Sequence, residues 1–143
     1  MSEENKALVQ RSWEIANQER VEERVDEVYP PDVVWHMPEG ELRGIEEAKQ
    51  YVSTFLGAFP DASFSVEDLI AEGDKVVSRF TARGTHQGET EEFGPPTGRQ
   101  LEQEGITIHR IEDGKIVEEW SQYDNLSILQ QLGLVPEQWP SIS

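Results

Sequence analysis

Gly114-Lys115-Ile116-Val117-Glu118-Glu119-Trp120-Ser121-Gln122-Tyr123-Asp124-Asn125-Leu126 carries a turn, a strand and the start of a helix in thirteen residues. Asp113-Gly114 at its start is a strong hairpin signal. The β-branched and aromatic residues after it predict a strand over residues 115–124. An apolar helix follows over 125–132 and Gly133 stops it. Working back, residues 100–111 read as the partner strand of the hairpin. Residues 86–99 hold Gly88, Gly94, Pro95, Pro96 and Gly98 and read as a loop. Strands over 62–71 and 76–85, joined at Glu72-Gly73-Asp74-Lys75, make an earlier hairpin.

The N-terminal half has a helical period. Leu8, Val9, Trp13, Ile15 and Ala16 share a face over residues 3–18, and Val21, Val25 and Val28 predict a second short helix. Tyr29-Pro30-Pro31 ends it. Residues 33–37 read as a short strand stopped by Pro38. From Gly44, the residues Ile45, Ala48, Val52, Phe55, Leu56 and Phe59 form an apolar stripe, and Pro60 closes the helix. Early helices followed by a late antiparallel meander predict a single α+β domain over 1–143, with 134–143 as a tail. A long curved antiparallel sheet, with helices packed on its concave face, would enclose a pocket.

The 143 residues suffice for one substantial core. Without cysteine there is no disulfide, thiolate metal site or cysteine nucleophile. The acidic start and the lack of an apolar run near the roughly 20 residues of a membrane span lead us to expect a soluble cytoplasmic protein. A net charge of −17, from 29 acidic and 12 basic residues, disfavours nucleic acid and anionic lipid as partners. Only Lys6, Lys49, Lys75 and Lys115 are lysines. That composition suggests a surface adapted to high salt, losing stability where self-repulsion is unscreened.

Asp124 is the first candidate for chemistry. Strict alternation places it on one face with Gln122, Trp120 and Glu118. If that face is inward, Asp124 is a poorly solvated carboxylate beside an indole, suited to proton transfer. If not, it caps the helix that starts at Asn125. His109 shares a face with Gly105, Thr107 and Ile111, which lines the pocket or meets solvent. His36 alternates with Trp35, and His86 stands where a strand becomes the glycine-rich loop. The histidines lack H-x-H or H-E-x-x-H spacing, so no metal is expected. No glycine run forms a nucleotide loop, and Ser12, Ser53 and Ser78 lack a nucleophile-elbow context.

Residues 5–9, 31–36, 59–61, 66–74, 84–88, 95–98 and 120–133, taken in order, resemble the SnoaL-like polyketide cyclase family of the nuclear-transport-factor-2-like, ketosteroid-isomerase-like cone fold. The resemblance implies ring closure of an aldol type on a hydrophobic carbonyl compound, without metal or cofactor. It implies Asp124 as the acid/base, with His109 or His36 as the donor that polarises a carbonyl. It also implies a homodimer through the outer sheet face and a pocket walled by Trp13, Trp120, Gln122, Phe55, Phe59 and Phe80. Two other activities fit the same fold. One is an epoxide hydrolase using Arg79, Arg83 or Arg110 with Glu102, Glu104 or Glu118; the other is a binding domain without turnover.

Overall fold

The computed structural model describes residues 2–136. Helix α1 (Ser2–Ala16) has Glu3 and Glu4 in its first turn, where carboxylates complement the helix dipole, and it buries Val9 and Ile15. Helix α2 (Val21–Arg24) passes into a 3₁₀ turn (Val25–Glu27), and the valines at i, i+4 and i+7 are all buried. Strands β1 (Val34–Met37) and β2 (Gly40–Arg43) form a small hairpin ahead of α3 (Ile45–Ala58). Strands β3 (Ser63–Glu72), β4 (Lys75–Thr85), β5 (Gln100–Glu112) and β6 (Lys115–Tyr123) form the meander, and α4 (Asn125–Gln131) follows. At the β5–β6 turn Asp113 and Gly114 both take positive φ, as a two-residue hairpin requires. Of the expected tail, residues 137–143 lie outside the described residues.

The strands join in one curved, unclosed sheet with the order β2-β1-β6-β5-β4-β3. Two details correct the expected architecture. The sheet is mixed, because β1 runs parallel to β6 with Trp35 opposite Glu119 and His36 opposite Trp120. Pro38 ends β1 without ending the pairing: the chain turns and comes back as β2, placing Glu41 opposite His36.

A third detail decides the site. Ile111 pairs with Ile116 but Arg110 pairs with Glu118, so Val117 is an extra residue in β6. Such a bulge reverses which residues face the core. Ile116 points inward and is fully buried. After the bulge, Glu119, Ser121 and Tyr123 take the inner face, and Glu118, Trp120 and Gln122 the outer one.

The helices cover the inner face. Asn17, just past α1, clamps the edge strand β3: its Oδ1 accepts from the Phe64 N–H at 2.7 Å and its Nδ2 donates to the Phe64 carbonyl at 2.9 Å. One apolar cluster joins Val9, Ile15, Val25, Val28, Val76 and Ile116. A second joins Ala58, Phe59, Leu101 and Leu132. Among the described residues no helix is long and apolar enough to cross a membrane.

Candidate functional site

A cavity of about 220 Å³ lies over the inner face, walled by residues of both clusters. It exceeds the roughly 150 Å³ that holds a benzene in an engineered protein core, so it has room for more than one ring. Trp13, Phe55, Phe59 and Phe80 line it, together with Trp35, Tyr51, Leu101 and Ile128. The far end of the Phe80 ring lies against Gly105, where a Cβ would come within 2.4 Å of the ring. Glu39, Glu92, Glu119 and His109 bring the ionisable character; no lysine or arginine lines the cavity among the described residues.

Its polar centre is built by three strands, α1 and the segment before β1. His109 is fully buried, and its Nδ1 is 2.6 Å from Oε2 of Glu119. The Tyr29 hydroxyl donates to the same Oε2 at 2.9 Å. On the other side of the ring, Nε2 is 2.8 Å from the Ser78 hydroxyl, which in turn takes the Trp13 indole N–H at 3.2 Å. Burial, and then the charge of Glu119, hold the Tyr29 hydroxyl well above the usual tyrosine range, so it remains a proton donor. Both donors meet at Oε2, and Oε1 takes no hydrogen bond from the described residues. Beside this centre, the Thr107 and Ser121 hydroxyls are 2.8 Å apart, leaving one hydroxyl hydrogen of the pair unspent.

At the solvent end, the Tyr123 hydroxyl donates to Glu39 at 2.6 Å, and Tyr51 and Tyr123 are linked at 3.2 Å. Burial is the main cause that pushes both tyrosines up. Burial, and then the neighbouring Glu39 charge, raise the Glu92 carboxyl.

Asp124 lies elsewhere. It is exposed, and its Oδ1 accepts from the Ser127 N–H at 3.0 Å as the N-cap of α4. Trp120 and Gln122 are on the outer face with it, outside the cavity, because of the Val117 bulge. His36 is outside as well. It stacks on Trp120 with ring centroids 5.4 Å apart, its Nε2 faces Glu118 at 2.6 Å and its Nδ1 faces Glu41 at 3.0 Å. The His36 hydrogen bond lowers the Glu118 carboxyl. Of the three residues expected to do chemistry, only His109 meets the cavity. His86 is buried between Phe59 and Phe93, with Nδ1 bonded to Thr97. The arginines expected of a hydrolase are held on the outer face by acidic neighbours: Arg79 by Asp68 and Glu104, Arg83 by Glu102, and Arg110 by Glu118 and Glu112.

The SnoaL-like polyketide cyclase family model matches residues 7–132. The chain belongs to that family. Among solved structures, this SnoaL-like chain is 33% identical to IdmH of Streptomyces antibioticus, described as a candidate polyketide cyclase; 90% of this chain and 98% of that one align, with a TM-score of 0.78. It is 29% identical to AclR of Streptomyces galilaeus, described as a candidate hydroxylase, over 95% and 100% of the two chains, with a TM-score of 0.83. A SnoaL-like protein of Jannaschia, at 22% identity over 94% and 95% and a TM-score of 0.85, shares the fold. No curated protein matches the sequence significantly.

Sequence reading of this SnoaL-like chain missed Glu119, Tyr29 and Ser78. Glu119 stands on the face opposite to Asp124 under strict alternation, and a single bulged residue leaves no mark in a sequence. Tyr29 read as the end of a helix before two prolines. Counting out from the Asp113-Gly114 turn pairs His109 with Glu118; the Val117 bulge moves the partner on by one residue to Glu119.

Proposed function

We propose that the protein is a cofactor-independent acid/base enzyme acting on an uncharged, hydrophobic carbonyl compound. The observation that carries this reading is Glu119 on the wall of an apolar cavity, its Oε2 fixed by Tyr29 and His109 and its Oε1 without a hydrogen bond from the described residues. Oε1 takes a proton from the carbon next to the substrate carbonyl. The unspent hydroxyl hydrogen of the Thr107–Ser121 pair is the neutral donor for a carbonyl oxygen. In an aldol-type closure the resulting enolate carbon bonds to a second carbonyl carbon of the same molecule, and the new alkoxide takes the proton back from Glu119. Atoms balance, and no co-reactant enters. Three glutamates and no cation along the wall disfavour an anionic substrate.

The test is α-proton exchange of 2-tetralone in D₂O, followed by NMR, alongside its binding measured by calorimetry. Exchange well above the buffer rate is expected. Exchange at the buffer rate with the ketone bound would instead make this a binding domain without turnover.

We also propose a homodimer through the outer sheet face. Ile70, Val77, Ile108, Trp120 and His36 lie side by side across five strands, and Ile70 and Ile108 are exposed in the single chain. Light scattering should give twice the 16.3 kDa of one chain, falling to the monomer in Ile108→Asp. A monomeric wild-type protein at micromolar concentration would rule the pairing out.

A further inference from the structure

Ser78, His109 and Glu119 are connected in the order of a nucleophilic triad: hydroxyl to Nε2 at 2.8 Å, and Nδ1 to carboxylate at 2.6 Å. Geometry of this kind is how such triads are recognised. Access here runs the other way. Ser78 is fully buried on the inner face of β4 and does not line the cavity, whereas His109 and Glu119 do. A serine nucleophile has to touch its substrate; this one is reached only through the ring it bonds.

We infer that Ser78 is a positioning residue, fixing His109 in the tautomer that leaves Glu119 unprotonated and ready to accept a proton. This rests on the acid/base reading above.

The directions of the hydrogen bonds support it. The Trp13 indole has a donor and no acceptor, so Ser78 Oγ accepts from it. Oγ has a second lone pair, but among the described residues His109 Nε2 is its one other hydrogen-bond partner, so the hydrogen of the fully buried Ser78 is spent only on an Nε2 that presents its lone pair. The ring proton is therefore on Nδ1, aimed at Glu119 Oε2, where the Tyr29 hydroxyl also donates. Which imidazole nitrogen carries the proton is set by what the other one meets. Every donor in the chain thus points toward the carboxylate. In the opposite tautomer, the Nδ1 lone pair would face Glu119 Oε2 at 2.6 Å, and that contact is satisfied only by a proton residing on the carboxyl group. A protonated Glu119 cannot act as the base. Trp13 completes the lock from above, with its ring edge-on to His109 at 6.5 Å and 87°.

The experiment is ¹⁵N NMR of the His109 ring in the full-length protein, with no ligand, in the wild type and in Ser78→Ala. The expected result is a ring protonated on Nδ1 in the wild type, and loss of that single tautomer in Ser78→Ala. On 2-tetralone, Ser78→Ala should slow exchange by about threefold to tenfold, the worth of one net hydrogen bond, with KM unchanged. A wild-type ring protonated on Nε2 overturns the inference, and so does an unchanged tautomer in Ser78→Ala. The wild-type spectrum decides even if Ser78→Ala folds poorly. A fluorophosphonate probe gives an independent arm: no labelling is expected, and labelling lost in Ser78→Ala would make Ser78 a reachable nucleophile and overturn the inference. If the wild type exchanges no α-proton but shows the Nδ1 tautomer and its loss in Ser78→Ala, the positioning role stands and the acid/base reading fails. If exchange is catalysed and the tautomer does not respond, the reverse holds.

Discussion

Glu119→Gln should slow α-proton exchange by about 10²–10⁴-fold, the usual worth of a positioned general base. The glutamine carbonyl can still accept from Tyr29 and His109, which both converge on one oxygen, so the buried network keeps its shape. What disappears is the free basic oxygen, now an amide nitrogen. The protein should therefore bind the ketone within a few-fold of wild type while failing to exchange it, a loss in kcat and not in KM. Asp124→Asn is the matched control, since asparagine ranks with aspartate as an N-cap and the Ser127 N–H keeps its acceptor. Exchange in that variant should stay within about twofold of wild type. The opposite pattern, with Asp124→Asn inactive and Glu119→Gln active, would place the chemistry at the end of β6 and sink the assignment of Glu119. Asp124→Ala separates the roles further: it should lower stability by about 1 kcal/mol through the lost cap and leave exchange per folded molecule unchanged.

Most of the fold was legible because its signals are local. The Asp113-Gly114 turn, the Leu8–Val9–Trp13 face and the Ile45-to-Phe59 stripe each specify an element from nearby residues. The small hairpin at β1 and β2 was not, because Glu41-Leu42-Arg43 carries little apolar weight and gains its place by pairing with β1. The parallel β1–β6 contact was hidden for a related reason: it joins residues some 80 positions apart (His36 beside Trp120), and no local pattern encodes it. The site was partly legible. The sequence puts His109 on one face with Thr107 and Ile111 but leaves open whether that face meets the pocket or solvent; in the fold β5 alternates without interruption from Leu101 to Ile111, and that face is the buried one. The inner face of β6 was not legible, since one inserted residue at Val117 exchanges Glu118, Trp120 and Gln122 for Glu119, Ser121 and Tyr123. Asp124 reads in the sequence as either a base in a pocket or a helix cap, and only the surroundings of its carboxylate separate the two; its exposure and its bond to Ser127 fit the cap.

Gly57→Ala and Gly88→Ala should move the melting temperature in opposite directions, although the two glycines are neighbours in the fold. Gly57 is exposed in the last turn of α3, and a Cβ there meets nothing within 4 Å. Alanine in that position gains up to about 1 kcal/mol of helix propensity, or about 3 °C for a chain of this size. Gly88 is different. Its added Cβ would be 1.6 Å from the Gly57 carbonyl oxygen and 2.7 Å from its carbon, both backbone atoms of α3 that cannot swing aside. The close approach exists because the Gln87 and Gly88 N–H groups both bond the Ala58 carbonyl, at 3.0 and 3.2 Å, pinning the start of the 86–99 loop to the end of the helix. Alanine must break that clip. A cost of about 3 kcal/mol, or about 10 °C, is expected from overpacking together with the lost bonds. The same loop presents Phe93 and Glu92 to the cavity, and Phe93 packs edge-on against Phe59 at 5.8 Å. Releasing it should therefore weaken binding of 2-tetralone as well as stability, while Gly57→Ala leaves binding unchanged. Thermal melts and calorimetric titrations of the two variants check both halves. A Gly88→Ala protein as stable as wild type would mean that the loop does not rest on α3, and that Phe93 owes its place on the cavity wall to something else.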